Sequence, residues 1–251
     1  MTVKKEMSWE EIREKNPQFK FDVEGELYQF FIDLTSKEGV IRRINIILPK
    51  HDESWGGTFS GIGKDEFNFF DLNPKDGDNI IDMGCNYGLI SMACAVLYPK
   101  CKIHAFDPCK KAISFLKLNC FINGIQNLVL YNTAVTDSEE PTLDFYSNLG
   151  VGPSCFVPPQ SKEEDHTHVG KHNNTHVKNV LGKIKNICFL KMDIEGSEYG
   201  IFDYLFENIE EFQEDLPSRV HIEVHGEQDK KERLIEKLKK LFNSDENVIK
   251  S

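Results

Sequence analysis

Four short segments hold the residue types and spacings that could do chemistry. Asp82-Met83-Gly84-Cys85-Asn86-Tyr87-Gly88 places an acid beside two glycines, and glycine lets a backbone turn sharply and approach a ligand closely. The Gly84-x-x-x-Gly88 spacing differs from the G-x-G-x-x-G of a pyrophosphate-binding dinucleotide fold. Asp82 would repel a pyrophosphate and suits a cationic ligand instead. Phe106-Asp107-Pro108 offers a second acid, placed to accept two hydrogen bonds from a ribose diol, as the acid of nucleoside-binding α/β folds does. A ligand with a ribose, an adenine and a positive centre is S-adenosylmethionine.

The other two segments bring carboxylates and imidazoles together. In Lys191-Met192-Asp193-Ile194-Glu195-Gly196-Ser197-Glu198, Asp193 and Glu195 alternate on a strand end. One of the two is therefore expected to face a cleft, while the other holds the turn or pairs with Lys191. In His221-Ile222-Glu223-Val224-His225, alternate residues share one strand face. The two histidines would lie about 13 Å apart at ~3.3 Å per residue, too far for both to ligate one zinc at ~2 Å. Glu223, His225 and Asp193 can converge from adjacent strands, but a metal-free site is the expectation.

The elements that must position these residues are legible from residue 76 onward. Short apolar runs at 79–83, 102–106, 128–131, 187–192 and 220–224 read as buried parallel strands. Helical patterns follow most of them, at 89–98, 110–123, 197–206 and 229–242. Strands alternating with helices imply right-handed crossovers and a mostly parallel sheet with helices on both faces. Such sheets bind ligands at the carboxyl ends of their strands, near the switch in strand order, and all four segments fall at such ends. Upstream, Ser8 and Glu11 fit a capping box, 40–48 reads as a strand, and the glycine-rich stretch 55–63 as a loop. Residues 147–182, polar and carrying His166, His168, His172 and His176, lack periodicity and read as a lid or substrate loop.

These motifs resemble those of the FkbM-type methyltransferases. The resemblance rests on Asp82-Met83-Gly84-x-Asn86-x-Gly88, Phe106-Asp107-Pro108, Asn132-Thr133-Ala134-Val135, the Lys191 to Glu198 block and Ile222-Glu223-Val224-His225, and covers residues 60 to 226. Asp107 stands where that family usually has Glu, and Cys85 where it usually has Ala. The resemblance implies a class I methyltransferase fold (Rossmann-like) and methylation of a hydroxyl on a sugar or other small molecule. By it, Asp82, Gly84, Asn86 and Gly88 surround the methionine part of S-adenosyl-L-methionine, Asp107 with Pro108 takes the ribose, and Thr133 and Ala134 border the adenine. Asp193 lies beside the transferred methyl group, with Glu223 and His225 near the acceptor. A histidine near neutral pKa is a natural base for an alcohol proton, and His225 or Asp193 is expected in that role.

The whole chain is consistent with such an enzyme. Its 251 residues carry 30 basic and 41 acidic side chains, a net charge of −11, which argues against non-specific phosphate binding. No Asp/Asn-Pro-Pro-aromatic motif of the amino-methylating nucleic-acid enzymes follows the fourth of these strands, so no nucleic-acid partner is expected. A methyltransferase of protein or nucleic acid, and a cofactor-binding protein without turnover, stay open as alternatives. Seven cysteines without C-x-x-C pairs read as reduced thiols, and the absence of apolar runs of spanning length points to a cytoplasmic protein without membrane contact. Residues 1–60 are expected to form an N-terminal extension packing on a methyltransferase domain of 61–251. That fold usually finishes with an antiparallel hairpin, for which 247–251 leave room for one short strand, so either a reduced sheet or a homodimer is expected.

Overall fold

The computed structural model describes residues 27–37, 39–50, 56–148, 166–242 and 248–250. The capping box at Ser8 and Glu11 lies outside them, as does 149–165. The elements run β1 (Leu27–Thr35), β2 (Ile41–Pro49), α1 (Gly56–Gly63), β3 (Asn79–Met83), α2 (Leu89–Leu97), β4 (Lys102–Phe106), α3 (Lys110–Ile122) and β5 (Leu128–Tyr131). There follow β6 (Ala134–Thr136), β7 (Thr142–Asn148), β8 (His166–His176), α4 (Val177–Leu181), β9 (Ile187–Met192), α5 (Glu198–Glu207), α6 (Ile209–Phe212), β10 (Val220–Glu223), α7 (Gln228–Leu241) and β11 (Val248–Lys250). No described helix is long and apolar enough to cross a membrane.

The central sheet has the order β11-β10-β9-β3-β4-β5, and every neighbouring pair is parallel. The chain winds outward from β3 to β5 and returns to β9 on the other side of β3, so the switch in strand order lies between β3 and β9. Among the described residues this is the expected α/β architecture, a parallel central sheet consistent with a class I methyltransferase fold. Its sixth described strand, β11, runs parallel to β10.

Strand pleating divides the interior in two. Ile80, Ile103, Ala105 and Phe189 join the core that holds α2 and α3. Their sequence neighbours Ile81, Phe106 and Leu190 join the core of α4 to α7. Helix α2 is buried at residues 89–95 and again at Leu97. A helix apolar all round must be covered on its outer side as well. The β1–β2 hairpin provides that cover, with Leu27, Phe30, Leu34, Ile44, Ile46 and Leu48 in the same core, each burial contributing about 1.5–3 kcal/mol before entropy.

Two asparagines fasten this hairpin. On the edge of β2 that faces away from β1, the backbone of Ile47 donates to Asn119 Oδ1 at 2.8 Å and accepts from Asn119 Nδ2 at 3.0 Å. One helical turn on, Asn123 makes the same two bonds with Asn45, both at 2.7 Å. The two amides of α3 thus stand in for a neighbouring strand and satisfy an edge that would otherwise invite pairing.

Two sequence expectations need correction, and one expected strand lies apart from the central sheet. The glycine-rich stretch is not a loop but helix α1. Burial of Ile62 and the edge-on contact of Phe59 with Phe30, 5.2 Å between centroids, override its low propensity. Residues 40–48 form a strand but do not join the central sheet. The 147–182 stretch is not all lid. Its described part forms β8, antiparallel to β7 and parallel to β6, followed by α4. Its histidines spread along that strand: His168 meets Asp144, His172 the Pro108 carbonyl, and His176 caps α4.

Replacement Asn119→Ala strips partners from two buried backbone groups and should cost about 2–4 kcal/mol. Urea unfolding should show this as a lower midpoint at an unchanged slope, with Asn123→Ala, more exposed, losing less.

Candidate functional site

The carboxyl ends of β3, β4 and β9 are hydrogen-bonded to one another. Gly84 and Cys85 donate their amides to the Phe106 carbonyl, both at 3.0 Å, and Asp193 donates its amide to the Met83 carbonyl at 3.1 Å. Gly84 has φ 73°, and a Cβ there would lie 1.8 Å from the Asp193 carbonyl oxygen. Gly88, φ 72°, would press a Cβ to 2.3 Å from Leu116 of α3. Both glycines are thus required by packing of the chain upon itself, a stronger demand than close approach to a ligand. Asn86 between them also takes a left-handed φ of 50°.

A buried charge network sits beneath this turn. The Asp82 carboxylate, 1% exposed, accepts from Ser91 Oγ at 2.6 Å. Its other oxygen has no hydrogen-bond donor and faces the Lys191 ammonium at 3.5 Å. Lys191 is itself buried, donates to the Gly84 carbonyl at 2.6 Å and lies 3.5 Å from Asp193 Oδ2. Burial opposes its charge, but Asp193 and Asp82 outweigh that and hold its pKa above the usual lysine value.

Asp107 caps β4 and ties two loops. Its Oδ2 accepts from the Asn86 amide and its Oδ1 from the Cys109 amide, both at 2.8 Å. Burial pushes its pKa up to about 6 against these two bonds. Each oxygen still has a second lone pair. Behind it, Asn132 Nδ2 donates to the carbonyls of Asp107 and Pro108 at 3.0 and 2.9 Å. Thr133 Oγ1 is engaged with the Ala134 carbonyl and Thr175 Oγ1, and Ala134 opens β6.

His225, just past β10, is surrounded by carboxylates. Its Nδ1 lies 3.2 Å from Glu198 Oε1. Its Nε2 is 3.6 Å from both Asp193 Oδ1 and Glu195 Oε2, and 3.9 Å from Glu223 Oε1. Burial lowers its pKa, but the Glu198 hydrogen bond and the surrounding charges prevail and raise it to about 9. The carboxylates on both sides of the ring therefore favour its charged form. Asp193, Glu195 and His225 bring one ligand atom each within 4.8 Å of one another.

The alternation argument also fails at one point. Asp193 and Glu195 both reach His225, because β9 ends at Met192 and Glu195 adopts a left-handed φ of 56° that returns its side chain to the same side. Glu195 and Glu198 were missed as site residues. Glu198 is 0% exposed and accepts from the Ile194 and Gly196 amides at 3.1 and 2.8 Å. The signal for it was an acid in the first turn of a helix directly after a strand-end Gly-Ser.

Comparison with known proteins bears on half of this site. Residues 68–146 match the family model of the methyltransferase small domain. That span contains the Asp82 to Gly88 turn and Asp107, but not Asp193, Glu195 or His225. No curated protein matches the chain in sequence. Among solved structures, an rRNA methylase from Streptococcus thermophilus is similar at 14% identity, over 65% of this chain and 72% of its own, with a TM-score of 0.35. A likeness that low carries neither fold nor substrate across.

Removing one partner of a buried ion pair strands the other, typically at about 3–5 kcal/mol. Lys191→Met should therefore destabilise by that order in chemical denaturation. Asp82→Asn in the same chain should restore part of the loss.

Proposed function

We propose that this chain is an S-adenosylmethionine-dependent methyltransferase, similar to the FkbM type, that methylates a hydroxyl of a sugar or other small molecule. The observation that carries the reading is Asp107. It is a strand-end carboxylate beside the switch in strand order, held by two backbone amides, with one lone pair on each oxygen left for a ribose diol. The residues present fit the cofactor in charge as well, since Asp193 and Glu195 make the cleft acidic where a sulfonium would lie.

When bound, the cofactor supplies an electrophilic methyl group: the acceptor oxygen bonds the carbon, the carbon–sulfur pair stays on sulfur, and the hydroxyl proton must leave. The chain's part is to orient and to take that proton. Orientation supplies up to about 7–11 kcal/mol of such a barrier, and a base a further ~10²–10⁴-fold. Because the surrounding carboxylates favour the charged form of His225, Asp193 is the proton acceptor in this reading. Glu195, whose carboxyl burial holds above the ordinary range against the pull of His225, stands beside it. Glu223 lines the outer rim, its side chain 41% exposed.

Calorimetric titration with S-adenosylhomocysteine tests the reading. The wild type should bind, and Asp107→Ala, checked as folded by its melting curve, should bind at least tenfold more weakly. The pH dependence has a definite sign. Both oxygens accept from a diol only when the carboxyl is ionised, so affinity should be flat above about pH 7 and fall about tenfold by pH 5 as Asp107 protonates through about 6. No binding by folded wild type would overturn the cofactor reading. Binding without product from a broad panel of hydroxylated acceptors would overturn the acceptor class.

A further inference from the structure

We infer that Asp193, Glu195 and His225 form a divalent-cation site in which the cation holds the hydroxyl acceptor. The inference deepens the proposed function, and its second half rests on that reading. Its ligand atoms come from three places: the end of β9, the left-handed turn after it, and the end of β10. His225 Nε2 stands 3.6 Å from an oxygen of each carboxylate. A cation at ~2.0–2.2 Å from each atom puts neighbouring ligands about 3 Å apart, so small side-chain adjustments close the set.

Two further features point the same way. Glu198, fully buried, engages His225 Nδ1 and is itself pinned by the Ile194 and Gly196 amides. A carboxylate on the far ring nitrogen is the arrangement that orients metal-binding histidines and leaves Nε2 for the ion. Among the described residues the surroundings are also mostly acidic. Asp82, Asp193, Glu195, Glu198 and Glu223 gather around Lys191 and His225, with Lys191 shared among Asp82, Asp193 and the Gly84 carbonyl. A half-buried cluster of carboxylates attracts a divalent ion. Two carboxylates and one imidazole suit Mn²⁺ or Zn²⁺ and leave open positions for oxygen ligands. Such an ion displaces the Nε2 proton of His225 and takes over from Asp193 the task of activating the hydroxyl, which it orients and makes more acidic, next to the turn assigned to the cofactor.

The test is metal binding itself, read without activity. The full chain, stripped with chelator, is titrated with Mn²⁺ while free ion is followed by electron paramagnetic resonance. One equivalent should bind in the absence of any cofactor. Glu195→Ala and His225→Ala should each weaken Mn²⁺ at least tenfold. Glu195→Gln serves where the alanine variant does not fold. Glu198→Gln, a positioning change, should weaken Mn²⁺ about 10–100-fold. Asp107→Ala should leave Mn²⁺ binding intact. Binding of neither Mn²⁺ nor Zn²⁺, or binding that all four cluster variants leave unchanged, would overturn the site. Mn²⁺ bound at this cluster by a chain that ignores S-adenosylhomocysteine would uphold the cation site and sink the methyltransferase reading instead.

Discussion

The ammonium of Lys191 is the interaction on which the site depends. It is buried at the point where the strand order switches, and it joins Asp82 of β3, the carbonyl of Gly84 just beyond β3, and Asp193 just beyond β9. A lone charge in such a place is prohibitively unfavourable, so each partner is tied to the others. The close approach of the two strand ends follows from that tie, and Gly84 follows from the approach, since any side chain there would strike the Asp193 carbonyl. The turn that carries Asn86 and reaches Asp107 is therefore set by electrostatics below it before any ligand arrives.

A second layer of support comes from outside. Ser91 of α2 holds Asp82 from above, and Leu116 of α3 packs where Gly88 has no side chain. Both helices are pressed onto the sheet by the β1–β2 hairpin, and the hairpin is held by Asn119 and Asn123 of α3. An extension that carries no recognisable motif is thus coupled mechanically to the glycine turn. Its own segments explain why it resists reading: β1 mixes buried, half-buried and exposed positions without strict alternation, and the outer edge of β2 is satisfied by side chains rather than by another strand.

What was legible in the sequence follows from what each element buries. Strands β3, β4, β9 and β10 are covered on both faces, so they appear as apolar runs ending at polar punctuation, and their bounds can be read to within a residue. Helix α1 could not be read because its glycines argue against it and only tertiary contacts favour it. Strand β8 could not be read because its polar face looks like a solvated loop until β7 is placed beside it. At the site, Asp82, Gly84, Asp107, Asp193 and His225 were visible as types at strand ends. Their partnerships were not, because Lys191 to Asp82 and Glu198 to His225 join residues far apart in sequence. Glu195 was misjudged for a local reason, since strand alternation does not extend into a left-handed turn.

These partnerships also decide which proton chemistry is available. A histidine flanked by one carboxylate can serve as a base near neutral pH. His225 faces Glu198 on one nitrogen and Asp193, Glu195 and Glu223 on the other, and in that company a positive charge on the ring is strongly favoured. A cation at this cluster, proton or metal ion, would answer the same gathering of carboxylates. The bond to Glu198 adds direction to that demand, because Glu198 is pinned by two amides of its own turn and cannot rotate away. The ring is thereby held with Nε2 toward Asp193 and Glu195, so the geometry of the cluster is set by the backbone of one turn rather than by the flexible carboxylates it gathers.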